Sequence, residues 1–163
     1  MRMKDTDYAW AAGFWDGEGC VSLTYRQWSE NTPRIPRIVV QVAQVDRRVL
    51  DRFQSVVGYG NVLGPYKPRS NNAQPYHVWR VEGVPHLQRM RDLLAPYLGE
   101  VKLNQMDIAL EARRVWEKTA TCLVHGTRLV ENVSGGRWNC PACLSDAGKK
   151  AAKARWGSKD VMS

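Results

Sequence analysis

Two groups of side chains carry residue types at spacings that chemistry can use. In the first, Ala11-Ala12-Gly13-Phe14-Trp15-Asp16-Gly17-Glu18-Gly19, two carboxylates stand where a short helix must stop. Asp7 to Trp15 turns as helix with Asp5 or Thr6 as N-cap, and Gly17 and Gly19 predict its end near Asp16. Asp16 and Glu18 then lie at the negative end of the helix dipole, where a carboxylate is disfavoured by about 0.3–1 kcal/mol unless a cation or donor compensates. A divalent metal is the simplest compensation. The second group is Cys122-Leu123-Val124-His125 and Cys140-Pro141-Ala142-Cys143, two pairs with two-residue gaps and 14 residues between them. Cys122, His125, Cys140 and Cys143 match a tetrahedral zinc site, and four protein ligands leave no open position, so that zinc is structural. Trp138 is expected to cover one side of this knuckle, which is too small for a core of its own. Cys20, far off in sequence, reads as a small core residue.

Periodicity supplies the elements that must hold these groups. On the first helix Ala9, Ala12 and Gly13 share a face small enough for a second helix to come close, while Tyr8, Ala11 and Trp15 face the core. Cys20 to Trp28 alternates as a strand, with Ser22, Thr24 and Arg26 opposite Val21, Leu23 and Tyr25. Arg34 to Gln44 is a second strand, with Arg37, Val39 and Gln41 opposite Ile38, Val40 and Val42, and Pro36 confines its start to an edge or irregular position. Asp46 to Val57 is helical, capped by Asp46 and closed by Gly58. Gly60 to Tyr66 and Tyr76 to Glu82 read as strands around the basic Lys67-Pro68-Arg69 loop, followed by helices from Val84 to Leu98 and from Leu103 to Lys118. The order is helix, two strands, helix, two strands, helix: an α+β layer with a four-stranded antiparallel sheet. Domain boundaries follow at 1–118 for this layer, 119–145 for the zinc knuckle and 146–163 for a basic tail, whose Ala147 to Trp156 segment is expected to become helical on DNA.

The nine-residue motif resembles that of the LAGLIDADG homing endonucleases, with Phe14-Trp15 as the aromatic form of the apolar pair, and the αββαββα order resembles the single-motif fold, a saddle over DNA. The resemblance runs from Tyr8 to Trp116. It implies that Glu18 and the carbonyl of Gly17 hold a catalytic Mg2+ or Mn2+. Glutamate stands where aspartate is commoner, which lengthens the reach by a methylene. Gln41-Val42-Ala43-Gln44 resembles the family's Gln-x-x-Gln, which makes Gln44 the residue near the attacking water. Arg48, preferred over Arg47, stabilises the phosphate, and Lys102 enters the site from the segment Pro96 to Gln105. The family's paired motif helices imply a homodimer through Ala9, Ala12 and Gly13, acting on a near-palindromic site in double-stranded DNA.

Composition agrees with a polyanionic partner. Lys and Arg number 24 against 16 Asp and Glu, a net charge of +8, with a pI near 9.6. On the saddle, Ser22, Thr24, Arg26, Arg37 and Gln41 are expected to face the major groove, with Arg80, Lys67 and Arg69 nearby. In the tail, Lys149, Lys150, Lys153 and Arg155 are placed to meet phosphates. The opening MRMKDTDYAW lacks the apolar core of a signal peptide, which implies an intracellular protein. The function these features imply is a sequence-specific, divalent-metal-dependent endonuclease making a double-strand break. The alternative is a non-cleaving nucleic-acid-binding relative, a splicing maturase or a regulator. A zinc-bearing structural protein without nucleic acid is disfavoured by the +8 charge.

Overall fold

The computed structural model describes residues 3–27, 29–68, 73–131 and 137–156, with side chains through Ala151. The chain forms two compact units, Met1–Tyr25 with Pro36–Arg114, and Arg26–Ile35 with Val115–Ser163.

The first unit is built from α1 (Asp5–Glu18), β1 (Gly19–Arg26) and β2 (Ile35–Gln44), then α2 (Arg47–Val57), β3 (Asn61–Tyr66), β4 (Tyr76–Glu82), α3 (Val84–Leu94) and α4 (Glu100–Thr119), of which Arg26, Ile35 and the end of α4 from Val115 belong to the second. The strands form one antiparallel sheet in the order β1-β2-β4-β3. Alternation assigns its faces: Val40 and Val42 of β2 and Trp79 and Val81 of β4 are buried, and the register sets Val40 opposite Val81 and Val42 opposite Trp79. Helices cover that face. Trp15, Phe53 and Trp79, from α1, α2 and β4, meet at ring centroid distances of 5.0–6.3 Å. Trp79 meets the other two edge to face and Trp15 stacks on Phe53, contacts that add to what their buried area contributes. A Cβ on Gly60, which has φ +92°, would lie 2.4 Å from Trp79 Nε1, so glycine there admits the indole.

Several boundaries differ from the sequence expectation, each for a local reason. The N-cap of α1 is Lys4, whose backbone N–H donates to Asp7 Oδ2 at 3.0 Å. The helix passes Asp16 and ends at Glu18. Gly19 stops it, because a Cβ there would lie 2.1 Å from Trp15 Cδ2 and the strand must begin beside that buried ring. β1 ends at Arg26; the expected end at Trp28 lies outside the described residues. Pro36 falls inside β2 but ahead of the stretch paired with β4, which starts at Val39, so its missing N–H breaks no bond on that side.

α3 stops at Leu94 and hands over to a 3-10 turn, Ala95–Tyr97, as Pro96 requires. α4 starts earlier than expected, at Glu100. The reason is Asp16, whose Oδ2 accepts the Gly99 N–H at 3.0 Å and satisfies a donor just ahead of the helix.

The second unit holds β5 (Val130–Glu131), β6 (Trp138–Asn139) and α5 (Pro141–Trp156). Ala120, Cys122, Leu129 and Cys140 form its small core, and Trp116 meets Trp138 edge to face at 5.1 Å. α5 runs unbroken across the boundary expected between residues 145 and 146. Among the described residues no helix is long and apolar enough to cross a membrane.

Candidate functional site

The C-terminal end of α1 is where distant segments converge. The helix delivers Glu18, exposed, as its last residue. From α4, 83 positions along the chain, the half-buried Lys102 donates from Nζ to the Gly19 carbonyl at 2.5 Å. The two motif carboxylates thus have different tasks. Asp16 closes the start of α4, and Glu18 is exposed one residue before the carbonyl that Lys102 holds. The donor set at the helix end, a carboxylate and a backbone carbonyl, is that of a hard divalent cation.

Gln44 closes β2 opposite His77 and is half-buried. Asp46 caps α2 by accepting the Arg48 N–H at 2.9 Å. Arg48 folds back on the same carboxylate, Nη2 to Oδ2 at 2.7 Å, although its side chain is 89% exposed. That guanidinium holds the Asp46 carboxyl down at about 2. Arg47 pairs with Asp51 one turn on, at 3.3 Å. Arg48 therefore stands at the mouth of α2 on a short tether, and no described contact joins it to Lys102.

On the outer sheet face Cys20 Sγ lies 3.4 Å from Ser22 Oγ, and Thr24 Oγ1 donates to the Arg37 carbonyl at 3.4 Å. Cys20 is exposed and does not join the core; in β1 it shares its phase with Ser22 and Thr24, while Val21 and Leu23 pack inward. Arg80 sits opposite Gln41 on one side and Asn61 on the other. Two arginines of this face are tied to Glu82, Arg37 from Nε at 2.9 Å and Arg80 from Nη2 at 2.7 Å. The Arg37 guanidinium is the main reason the Glu82 carboxyl is held below its ordinary range. Nothing in the motif reading singled Glu82 out, yet its position two residues after Arg80 on an alternating strand puts it on the same face. Arg26 and Lys67 are exposed, and Arg69 lies outside the described residues.

Of the small face on α1, Ala9 and Gly13 are exposed, and a Cβ on Gly13 would meet no other atom within 4 Å. Ala12 corrects the expectation: it is fully buried in the core, because α2 and α3 both pack against α1 and occupy a wider arc of it than the pattern suggested. The open stripe runs Ala9, Gly13, Gly17.

In the second unit the four metal-type side chains converge, with all ligand atoms within 4.8 Å of one another. His125 Nδ1 lies 3.6 Å from Cys122 Sγ, 3.6 Å from Cys140 Sγ and 3.3 Å from Cys143 Sγ, and the Cys122 and Cys143 sulfurs are 3.7 Å apart. Bonds of about 2.3 Å to sulfur and 2.0–2.1 Å to nitrogen around a tetrahedral zinc give edges of about 3.6–3.8 Å, so these distances fit one ion. The Thr127 hydroxyl lies 3.1 Å from Cys140 Sγ and is the main reason that thiol is lowered to about 6. The Cys143 N–H also donates to that sulfur, at 3.4 Å. His125 Nε2 lies 3.3 Å from Asp146 Oδ2, a carboxylate that fixes the ring with Nδ1 toward the sulfurs. Thr127 and Asp146 carried no sequence signal, since each acts through spatial neighbours. On α5 Lys149 and Lys150 are exposed; the side chains of Lys153 and Arg155 lie outside the described ones.

No protein-family model and no curated protein matches the sequence. Solved structures do match. Homing endonuclease I-CvuI, in complex with the I-CreI target, is similar at 25% identity and a TM-score of 0.55 over 70% of this chain and 69% of that one. The archaeal intron-encoded homing endonuclease I-Vdi141I, complexed with DNA, matches at 22% identity and a TM-score of 0.56 over 69% of each chain. The LAGLIDADG meganuclease I-CpaMI, bound to uncleaved DNA, matches at 18% identity and a TM-score of 0.53 over 69% of this chain, which spans only 37% of that one. These likenesses are of fold: the chain has the fold of the LAGLIDADG homing endonucleases.

Proposed function

We propose that the protein is a sequence-specific, divalent-metal-dependent DNA endonuclease that acts as a homodimer on a near-palindromic site. The observation that carries this reading is the bond from Lys102 Nζ to the Gly19 carbonyl, which brings a cation to the helix end whose last residue is the exposed Glu18. Glu18 and the Gly17 carbonyl would hold Mg2+ or Mn2+, which when bound lowers the pKa of water and offsets charge on the phosphate. Lys102 spends one of its three N–H donors on Gly19 and keeps two to aim at a phosphate oxygen. Gln44 would orient the water, and Arg48, on its tether to Asp46, would reach the phosphate from the mouth of α2. The neighbours I-CvuI and I-Vdi141I were captured on DNA, and I-CvuI also in the presence of Mg or Ca. Ala9 and Gly13 form the face on which the second copy would cross, which doubles the site. The Cys122, His125, Cys140 and Cys143 cluster would hold a structural Zn2+, and the basic residues of α5 would extend the contact along phosphates. Incubating the protein with a randomised duplex library and Mg2+, then sequencing cut ends, tests the proposal: one recurrent, near-palindromic cut site supports it, and an uncut library refutes it.

A further inference from the structure

Glu82 is the one carboxylate among the described residues that holds two arginines on the sheet's outer face. Arg37 grips it with Nε at 2.9 Å and Nη2 at 2.7 Å, a fork-to-fork pair, and Arg80 Nη2 reaches the same Oε1 at 2.7 Å. All three side chains are only 36–42% exposed. They line an open groove of about 600 Å³ together with Asn61 and His86. The register extends the polar row, with Gln41 and Asn61 flanking Arg80.

A surface arginine left to itself swings toward whichever phosphate is nearest and adds affinity that carries no sequence information. Here two guanidiniums are fixed by a carboxylate, and that carboxylate repels phosphate. What the triad does match is a base-pair edge. An arginine donates to guanine O6 and N7, and a carboxylate accepts from cytosine N4, so a paired Arg and Glu offer a donor and an acceptor to the two halves of one G·C pair. We infer that Glu82 is a specificity-determining residue: it withholds Arg37 and Arg80 from the phosphates and sets them, with its own carboxylate, to read a G·C pair in each half-site. The inference rests on the DNA-endonuclease reading above.

The experiment is site selection from a randomised duplex pool by the full-length parent, Glu82→Ala and Glu82→Gln, with salt titration of each protein on a random-sequence duplex. The parent is expected to select a site with one G·C-restricted position per half-site attributable to this patch. Glu82→Ala should lose about tenfold or more of that preference while binding the random duplex more tightly, its salt slope steeper by about two as both arginines turn to phosphates. Glu82→Gln keeps the side chain's volume and one acceptor and should fall between them, and it stands in for the alanine variant if that one misfolds. Selected sites and salt slopes unchanged in folded Glu82 variants would overturn the inference while leaving the endonuclease reading intact. A parent that selects no sequence, yet folds, would sink that reading and this inference with it.

Discussion

Lys102 Nζ sits on the carbonyl oxygen of Gly19, at 2.5 Å, so the start of α4 is bonded to the point where α1 becomes β1. Asp16 makes the reciprocal link by accepting the Gly99 N–H. Two bonds in opposite directions lock the helix end that presents Glu18. Lys102→Ala should leave Asp16 in place and the chain folded, while slowing cleavage by about 10²–10³, the usual loss for one transition-state donor. Single-turnover rates on the selected duplex would measure it; a change confined to KM would assign Lys102 to ground-state binding.

Asp46 should titrate far below an ordinary carboxylate. Its folded value of about 2 lies under the 3.8 of an unperturbed aspartate because Arg48 is bonded to it. A depressed carboxylate stabilises the fold fully above the unperturbed value, and that contribution is lost as pH falls through about 2. NMR titration of the Asp46 side chain should give that midpoint, and Arg48→Ala should move it back up toward 3.8. A parent midpoint near 4 would mean the ion pair does not persist in solution.

How much of this was legible in the sequence depended on the range of the interaction. α2 was read correctly at both ends, since Asp46 and Gly58 act on their own helix, and the polar phase of Ser22 and Thr24 followed from a period of two. The clustered Cys122, His125, Cys140 and Cys143 declared themselves by spacing. Glu82 and Asp146 did not, because their partners are chosen by strand register and chain folding that no local pattern encodes. Ala12 and Cys20 failed in opposite senses for one reason: neighbouring elements, rather than a residue's own size and polarity, decide which arc of a helix or strand is covered. The grouping of residues 26–35 with the segment that carries the Cys/His cluster had no signal in either stretch.

The cysteine cluster should carry one zinc per chain by native mass spectrometry. Cys140→Ser removes a ligand and should loosen residues 115–151, seen as faster amide exchange there, while protection of the four-stranded sheet is kept. Metal-free protein with unchanged exchange would remove the case for zinc.

Gly13 offers a clean test of the dimer. A Cβ added there meets no other described atom within 4 Å and the position is exposed, so Gly13→Leu should fold; its helix-propensity change is favourable. It should nonetheless block a close helix crossing and give a monomer by sedimentation where the parent is a dimer on DNA. A Gly13→Leu variant that dimerises as the parent does would move the interface elsewhere.

Glu18 is proposed to hold the metal needed for DNA cleavage, and Glu18→Gln separates that role from DNA binding. The carboxylate is exposed at the end of α1, so the amide costs little stability and leaves the basic sheet face untouched. On the selected duplex with Mg2+ or Mn2+, the parent should cut, and Glu18→Gln should bind about as tightly yet leave the duplex whole. Cleavage by Glu18→Gln at the parent's rate would contradict the account.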